Sequence, residues 1–267
     1  MAIPHRLFPL LRDPHDIGAL QLEGDHLVNP ANRKRFPIVD SIPVFVEPCE
    51  LGPLNRKFQR MYDWMSHVYD PALGLGNLLS RGKLSQLRRR LAALLALKSG
   101  QCCLYTSIGT GADVPFLAEQ VPLQSVDLVG LDLSMGMLKR CRKRLRAFPE
   151  TSLLVQGNAE RLPFSDQSFD VVVHVGGINF FDQPAVAVRE MQRVARPGAL
   201  IVVSDETKEV VTKNYKRSPF TRAYFKDAST DFNPRSWIPD GAVNANYEEV
   251  WDGKGYIMTF RAAAAFA

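Results

Sequence analysis

Short apolar runs alternate with helix-patterned segments from residue 101 onward. "CCLYTSI", "DLVGLDL", "SLLVQGN", "FDVVVHV" and "ALIVVSD" are compact apolar runs that predict buried strands. "DVPFLAEQV", "SMGMLKRCRKRLRAF" and "PAVAVREMQRVA" carry apolar positions three and four apart and predict helices between them. Repeated strand–helix units build an α/β, mostly parallel sheet with right-handed crossovers. Ligands in such sheets bind beyond the carboxyl ends of the strands. Near the end, "VNANYEEVWDGKGYIMTFRA" places two alternating runs around Asp252-Gly253-Lys254-Gly255, which predicts an antiparallel hairpin closing the sheet.

Residues 54–97 read as helical. Phe58, Met61, Tyr62, Met65 and Tyr69 form one apolar face, and "LSQLRRRLAALLAL" repeats the pattern until "KSG" ends it. Residues 1–47 read differently. "ALQLEGDHLVN" alternates around Gly24-Asp25, and "FPIVDSIPVFV" gives extended segments at Pro37 and Pro43. Two units are expected: a small β unit over 1–47 and, after the linker "EPCELGP", a larger domain over 54–267. There is no internal repeat, and low complexity is confined to the "AAAAFA" end.

The 267 residues are 46% hydrophobic and 23% charged, values of an ordinary globular chain. No apolar run is long enough for a membrane span. The first residues lack the basic-then-apolar layout of a signal peptide. Four cysteines, Cys49, Cys102, Cys103 and Cys141, form no metal-type spacing and read as free thiols of a cytoplasmic protein. The net charge of +5 collects at "RRR" (88–90) and "KRCRKRLR" (139–146). Neither run is interleaved with aromatics, so both read as solvated helix faces and nucleic acid is not an expected partner.

Candidate chemistry starts at "CLYTSIGTGADVPFL", a strand end, a glycine turn and a helix start. Gly109 and Gly111 let backbone approach a ligand and adopt positive φ. A dinucleotide fingerprint needs a third glycine where Val114 stands, and no Gly-Lys-Ser/Thr follows, so pyrophosphate and P-loop sites are disfavoured. Asp132 ends the next strand, about 20 residues on, where a carboxylate accepts ribose hydroxyls. The competing role is helix capping, which Ser134 can perform alone. Asn158, at a further strand end, can bond an adenine edge with Ala159 and Leu162 as an apolar bed, or serve as a turn residue.

The order "SIGTG…GLDLSMGMLKRC…QGNAERLPFSDQSFDVVV…REMQRVARPGALIVVSD" resembles class I S-adenosylmethionine-dependent methyltransferases, in the branch of quinone and small-molecule enzymes. It covers about residues 58–261. The resemblance implies a Rossmann-like, seven-stranded, mostly parallel sheet with helices on both faces and S-adenosylmethionine across its carboxyl edge. It further implies cofactor contacts from Tyr105, Ser107, Gly109, Gly111, Asp132, Leu133, Asn158, Ala159 and His174. Two places depart from the family's pattern: Tyr105 stands for its acid and Ser107 for its first glycine. Asp113 either replaces the lost charge or serves the helix dipole.

Methyl transfer from a sulfonium needs alignment and exclusion of water. His174 and Asp205 are the candidate catalytic residues, His174 as a base or a buried structural histidine, Asp205 and Glu206 as capping or acceptor-facing groups. Phe180 and Phe181 add apolar surface; Phe58, Tyr62, Trp64 and Tyr69 are lid aromatics, of which Tyr62 and Tyr69 either line the acceptor pocket or pack the core. A small, partly apolar acceptor fits best. Alternatives are methylation of rRNA or tRNA bases and a non-catalytic partner protein. The N-terminal unit resembles the zinc ribbon fused to some methyltransferases, but its four ligand places hold Asp13, Asp16, Asn29 and Asn32, and no metal is expected. His15 and His26 read as surface or packing residues. Hydrogen bonds and Phe36, Ile38, Ile42, Val44 and Phe45 are expected to hold it instead.

Overall fold

The computed structural model describes residues 3–216 and 232–263. The last four alanine-rich positions, and with them the end of the 54–267 unit, lie outside the described residues. The strands of the large sheet are β5 (Cys102–Thr106), β6 (Asp127–Asp132), β7 (Ser152–Gln156), β8 (Phe169–Val175), β9 (Ala195–Glu206), β10 (Val243–Val250) and β11 (Gly255–Arg261). Their spatial order is β10-β11-β9-β8-β5-β6-β7. The pairs β5–β6, β5–β8, β6–β7 and β8–β9 are parallel, whereas β11 runs antiparallel to β9 and β10 to β11. The strand order reverses at β5, and this is where a ligand crevice opens.

Period-2 alternation sorts side chains between the faces. Cys103 and Tyr105 point into one core with Val171 and Val173, while Leu104 and Val172 point into the other. The first of these cores is covered by three helices. They are α3 (Lys83–Leu95), α4 (Val114–Ala118) and α5 (Met135–Leu145), which contribute Leu91, Leu117 and Leu138. On the opposite face α6 (Pro184–Val194) covers only part of the sheet, because residues 157–168 between β7 and β8 contain no helix.

The small unit fills that gap. Its strands β1 (Gln21–Glu23), β2 (His26–Val28), β3 (Arg35–Val39) and β4 (Ile42–Pro43) form an antiparallel sheet, turning at Gly24 (φ 64°). Leu7, Leu11, Leu20, Leu27, Phe36 and Phe45 join the same core as Leu104, Val129 and Val155. Val44 pairs with Gln156 at the β7 edge, and Leu11 bridges Phe164. The otherwise open edge of β7 is thereby protected.

The helical stretch over 54–97 is three helices: α1 (Pro53–Met65), α2 (Tyr69–Leu79) and α3. Breaks fall after Met65 and at Ser80–Gly82, where Arg81 and Gly82 take φ of 53° and 81°. Helix α3 ends at Leu95, five residues before Gly100, with Ala96 at φ 46° as its left-handed stop.

Candidate functional site

The carboxyl ends of β5, β6, β7, β8 and β9 converge on a cavity of about 540 Å³, which α1, α2 and α3 cover from above. Such a volume suits a nucleoside-sized ligand with a small second molecule. Ser107, Gly109, Asp132, Leu133, Asn158 and Ala159 all line it. Gly109 has φ 59° and open space where a Cβ would project, so the bare backbone faces the cavity. Ser107 holds φ 57°, a left-handed conformation that costs a side-chain-bearing residue about 1 kcal/mol.

Asp132 is the centre of this half. Its Oδ2 accepts the Gly109 N–H at 2.8 Å and its Oδ1 accepts the Ser134 N–H at 2.8 Å. Burial raises its pKa to about 6, although the Ser134 and Gly109 N–H groups favour the charge. Each carboxylate oxygen keeps a lone pair beyond these bonds, which leaves two acceptors for two hydroxyls. Ser134 caps α5 on its own, accepting the Met137 N–H. Asn158 Oδ1 accepts the Glu160 N–H at 2.9 Å, which turns its amide group within the cavity wall.

The other half is apolar. Phe58, Met61, Tyr62, Met65, Tyr69 and Leu73 descend from the lid, and Phe180 and Phe181 rise from the β8–α6 connection. Phe58 and Phe180 stack with centroids 4.9 Å apart. Asp205 and Glu206 line the same region at the end of β9. Asp205 Oδ2 accepts the Asn179 N–H at 3.0 Å and Oδ1 accepts its neighbour Glu206 N–H at 2.8 Å. Burial raises its pKa to about 6, with the surrounding N–H groups opposing.

Several expected members stand elsewhere. His174 is fully buried and does not line the cavity; its Nδ1 lies 3.0 Å from Thr106 Oγ1, and burial lowers its pKa to about 3. The ring thus stands behind the sheet edge, apart from the residues that line the cavity, where the expectation of His174 as base or cofactor contact would place it. Tyr105 is buried below the loop, and its hydroxyl donates to Asp113 Oδ2 at 2.6 Å. Arg88 of α3 approaches Asp113 Oδ1 at 3.0 Å. Asp113 is thus spent on an internal pair and makes no helix cap. Gly111 serves packing: a Cβ there would meet Cys141 Sγ at 2.8 Å. Leu162 is core rather than cavity wall, and Trp64 points to solvent.

The structure adds residues that the strand-end reasoning does not name. Trp251 and Gly255 reach the cavity from the hairpin, because antiparallel β11 begins beside Glu206 where β9 ends. Asp63 of the lid accepts from Ser134 Oγ and the Gly136 N–H, and Asp70 accepts from Thr110 Oγ1 and pairs with Arg144. The lid is therefore latched to the glycine loop and to the start of α5 by carboxylates.

In the small unit the four ribbon positions meet. Asn29 Nδ2 donates to Asp13 Oδ2 (2.9 Å) and Asp16 Oδ1 (3.0 Å); Asn32 Nδ2 donates to Asp13 Oδ2 (3.0 Å) and Asp16 Oδ2 (2.9 Å). Each of the four also accepts a backbone N–H two residues on, from His15, Gly18, Ala31 and Lys34. Those turns fix the amides with nitrogen inward, so the donor set is two carboxylates bridged by two amides. Burial opposes the Asp13 charge, but the Asn32 and Asn29 amides outweigh it and hold its pKa below 3.8. His15, Glu47 and Glu50 also cluster, and the Lys34 ammonium sits among them, 2.9 Å from Glu47.

A methyltransferase domain family matches residues 104–203. A demethylmenaquinone methyltransferase of Renibacterium salmoninarum is 33% identical over 54% of this chain and 56% of its own length. One from Shouchella clausii is 31% identical over 64% of this chain and 72% of its own. The chain thus spans little more than half the length of the Renibacterium relative it matches. Among solved structures, the (4+2)-cyclase SpnF superposes with a TM-score of 0.59 at 16% identity, covering 80% of this chain and 98% of that one. A chain of the Haloferax volcanii complex containing the Trm112 methyltransferase activator gives 0.55 at 16% identity, covering 76% and 97%. At such identities the likeness is one of fold.

Proposed function

This chain belongs to the class I S-adenosylmethionine-dependent methyltransferases, and from that premise we propose that it methylates a small, partly apolar acceptor of the quinone type. The observation that carries the reading is the contact between the Gly109 N–H and the Asp132 carboxylate at the rim of a cavity whose far half is aromatic. The residues present fit the cofactor: a carboxylate with two spare lone pairs stands beside backbone that no Cβ blocks. When bound, S-adenosylmethionine supplies an electrophilic methyl group for in-line displacement.

In this reading Asp132 holds the ribose hydroxyls, while Leu133, Asn158 and Ala159 hold the adenine. Gly109 lets the ligand lie against bare backbone, and Ser107 sits beside it. Phe58, Tyr62, Phe180 and Phe181 offer a planar acceptor an aromatic wall and exclude water. Asp205, poised near pH 6, accepts the proton from an acceptor hydroxyl and so raises its electron density. The aromatic lining favours this over methylation of RNA bases. A cytoplasmic location belongs to the same reading and is supported by the free cysteines among the described residues.

Calorimetry with S-adenosylhomocysteine tests the cofactor half; absence of heat at millimolar ligand refutes it. Radiolabelled methyl transfer to a panel of short-chain quinols tests the acceptor half. Label on none of them, with cofactor bound, removes the quinone-type assignment.

A further inference from the structure

The lid carries a surface that the reaction does not use. Trp64, Val68, Leu75, Leu78 and Leu79 are 78%, 52%, 57%, 74% and 75% exposed, and together they are half of the large apolar side chains exposed among the described residues. They lie on the end of α1 and on α2. The sequence of α2, YDPALGLGNLL, contains one charged residue, Asp70, and that one is turned inward onto Thr110 and Arg144. A helix this apolar on its outer side marks a contact surface. Gly74 and Gly76 have nothing within 4 Å of a projected Cβ, so no close neighbour requires them. They make α2 weakly helical and pliable.

The surroundings identify the partner. Between residues 56 and 90 there are eight basic side chains and two acidic ones, and both acids, Asp63 and Asp70, are bonded inward. The exposed Arg60, Arg81 and Lys83 rim the apolar face, and α5 beside α1 adds exposed Lys139 and Lys143. Lys83 pairs with Asp252 and Lys139 with Asp40, both at the surface. An apolar patch with a basic rim and an exposed tryptophan is the pattern of a helix that lies on an anionic bilayer. A second copy of the chain is a poorer fit, because a two-fold contact would set one basic rim against the other.

We propose that α2 and the end of α1 dock on an anionic lipid surface and that the acceptor enters the cavity from it. Tyr69 and Leu73 on the inner side of α2 line the cavity, and Leu75, Leu78 and Leu79 face outward. One helix, about 10 Å thick, separates the two. The entry route rests on the methyltransferase reading; the docking does not. An acceptor drawn from the bilayer is a lipid-tailed molecule, its ring held by Phe58 and Phe180 and its tail leaving past α2.

The test is co-sedimentation of the full chain with vesicles of phosphatidylcholine carrying about 30% phosphatidylglycerol, against pure phosphatidylcholine. The wild type pellets with the anionic vesicles and is released by high salt. The double variant Leu78→Asp/Leu79→Asp binds at least about tenfold more weakly with an unchanged melting temperature, and Leu22→Asp, an exposed leucine of the small sheet, binds as wild type. The proposal is overturned if the wild type stays in the supernatant at every lipid concentration. It is equally overturned if the double variant pellets like wild type, or if it only converts a dimer to a monomer by light scattering. Vesicle binding is read without cofactor, so its failure leaves the methyltransferase reading standing, and failed cofactor calorimetry leaves the docking face standing.

Discussion

Replacing Asp132 by asparagine separates the demands of folding from those of binding. In the folded chain the carboxyl pKa rises from 3.8 to about 6, chiefly through burial. That difference corresponds to about 3 kcal/mol of folded-state cost for the charge. The sign follows from linkage: a carboxyl with a raised pKa is favoured protonated in the folded state, so this group destabilises the fold above about pH 6 and not below 3.8. The asparagine side chain carries no charge and escapes that cost. It has one oxygen, however, and serves only one of the two N–H donors, Gly109 or Ser134. The lost charge-assisted bond costs about 1.5–3 kcal/mol. The two effects nearly cancel, and denaturant unfolding at pH 7.5 changes by less than about 1.5 kcal/mol.

Binding has no such compensation. Two ribose hydroxyl bonds to a carboxylate are worth about 1.5–3 kcal/mol each, so Asp132→Asn weakens S-adenosylhomocysteine by roughly 10²–10⁴-fold. Wild-type affinity also falls as pH drops through about 6, where the carboxyl takes up a proton. Isothermal calorimetry on both proteins, from pH 5 to 8, reads these quantities. Equal affinity of Asp132→Asn and wild type, in a folded variant, refutes the ribose role and with it the reading of the pocket.

Asp13→Ala removes three hydrogen bonds, from the buried Asn29 amide, the exposed Asn32 amide and the His15 N–H, leaving both amides with Asp16 alone, and it lowers unfolding free energy by about 2–4 kcal/mol in urea titration. In the wild type the Asp13 contribution is fully present above 3.8 and is lost as pH falls through its lowered folded pKa, which an acid titration of tryptophan fluorescence follows. Ser107→Gly relieves the left-handed strain at φ 57° but frees the unfolded chain, so stability shifts by no more than about 1 kcal/mol while cofactor affinity is kept or improved. Asp205→Asn leaves cofactor affinity within about threefold and lowers kcat by about 10²–10⁴-fold, abolishing the rise in rate through pH 6. A quadruple variant with cysteine at 13, 16, 29 and 32 takes up one zinc ion per chain by native mass spectrometry, since all four side chains already sit in N–H-accepting turns facing one another.

The strands and helices beyond residue 101 are legible because apolar period switches cleanly there between two and about 3.6. The meeting of Gly109 with Asp132 is legible too, since both stand at carboxyl ends of adjacent parallel strands. His174 stands apart from the cavity for a reason that the same periodicity contains. It follows Val172 by two and shares its face, so the alternation of β8 already turns it into the core beside Thr106. Tyr105 and Asp113 look like a lost charge and its replacement, but Arg88 comes from a helix seventeen residues upstream of Tyr105, and no local pattern announces their pairing. The break between α2 and α3 and the end of α3 depend on left-handed Arg81 and Ala96, residues with no intrinsic preference for that conformation.

The small unit and the cofactor loop are parts of one construction. The β7–β8 connection, 157–168, carries Asn158 and Ala159 yet has no helix of its own. Its backbone is held from two sides: Glu190 and Arg193 of α6 bond Leu162 and Phe164, and on the other side Arg12 N–H donates to the Pro163 carbonyl, Ser165 N–H to the Leu10 carbonyl, and Phe45 N–H to the Gln156 carbonyl just ahead of it. His15 adds a contact to Arg161 at 3.0 Å. A four-stranded sheet of such short strands has little core of its own and relies on a cross-link between its hairpins. The Asp13, Asp16, Asn29 and Asn32 network is that cross-link, made of side-chain hydrogen bonds. Loosening it therefore loosens the loop under the adenine. Asp13→Ala, though no part of the cavity, raises the dissociation constant for S-adenosylhomocysteine along with its loss of stability. A variant that loses stability and binds unchanged would mean that loop 157–168 holds its shape without the brace.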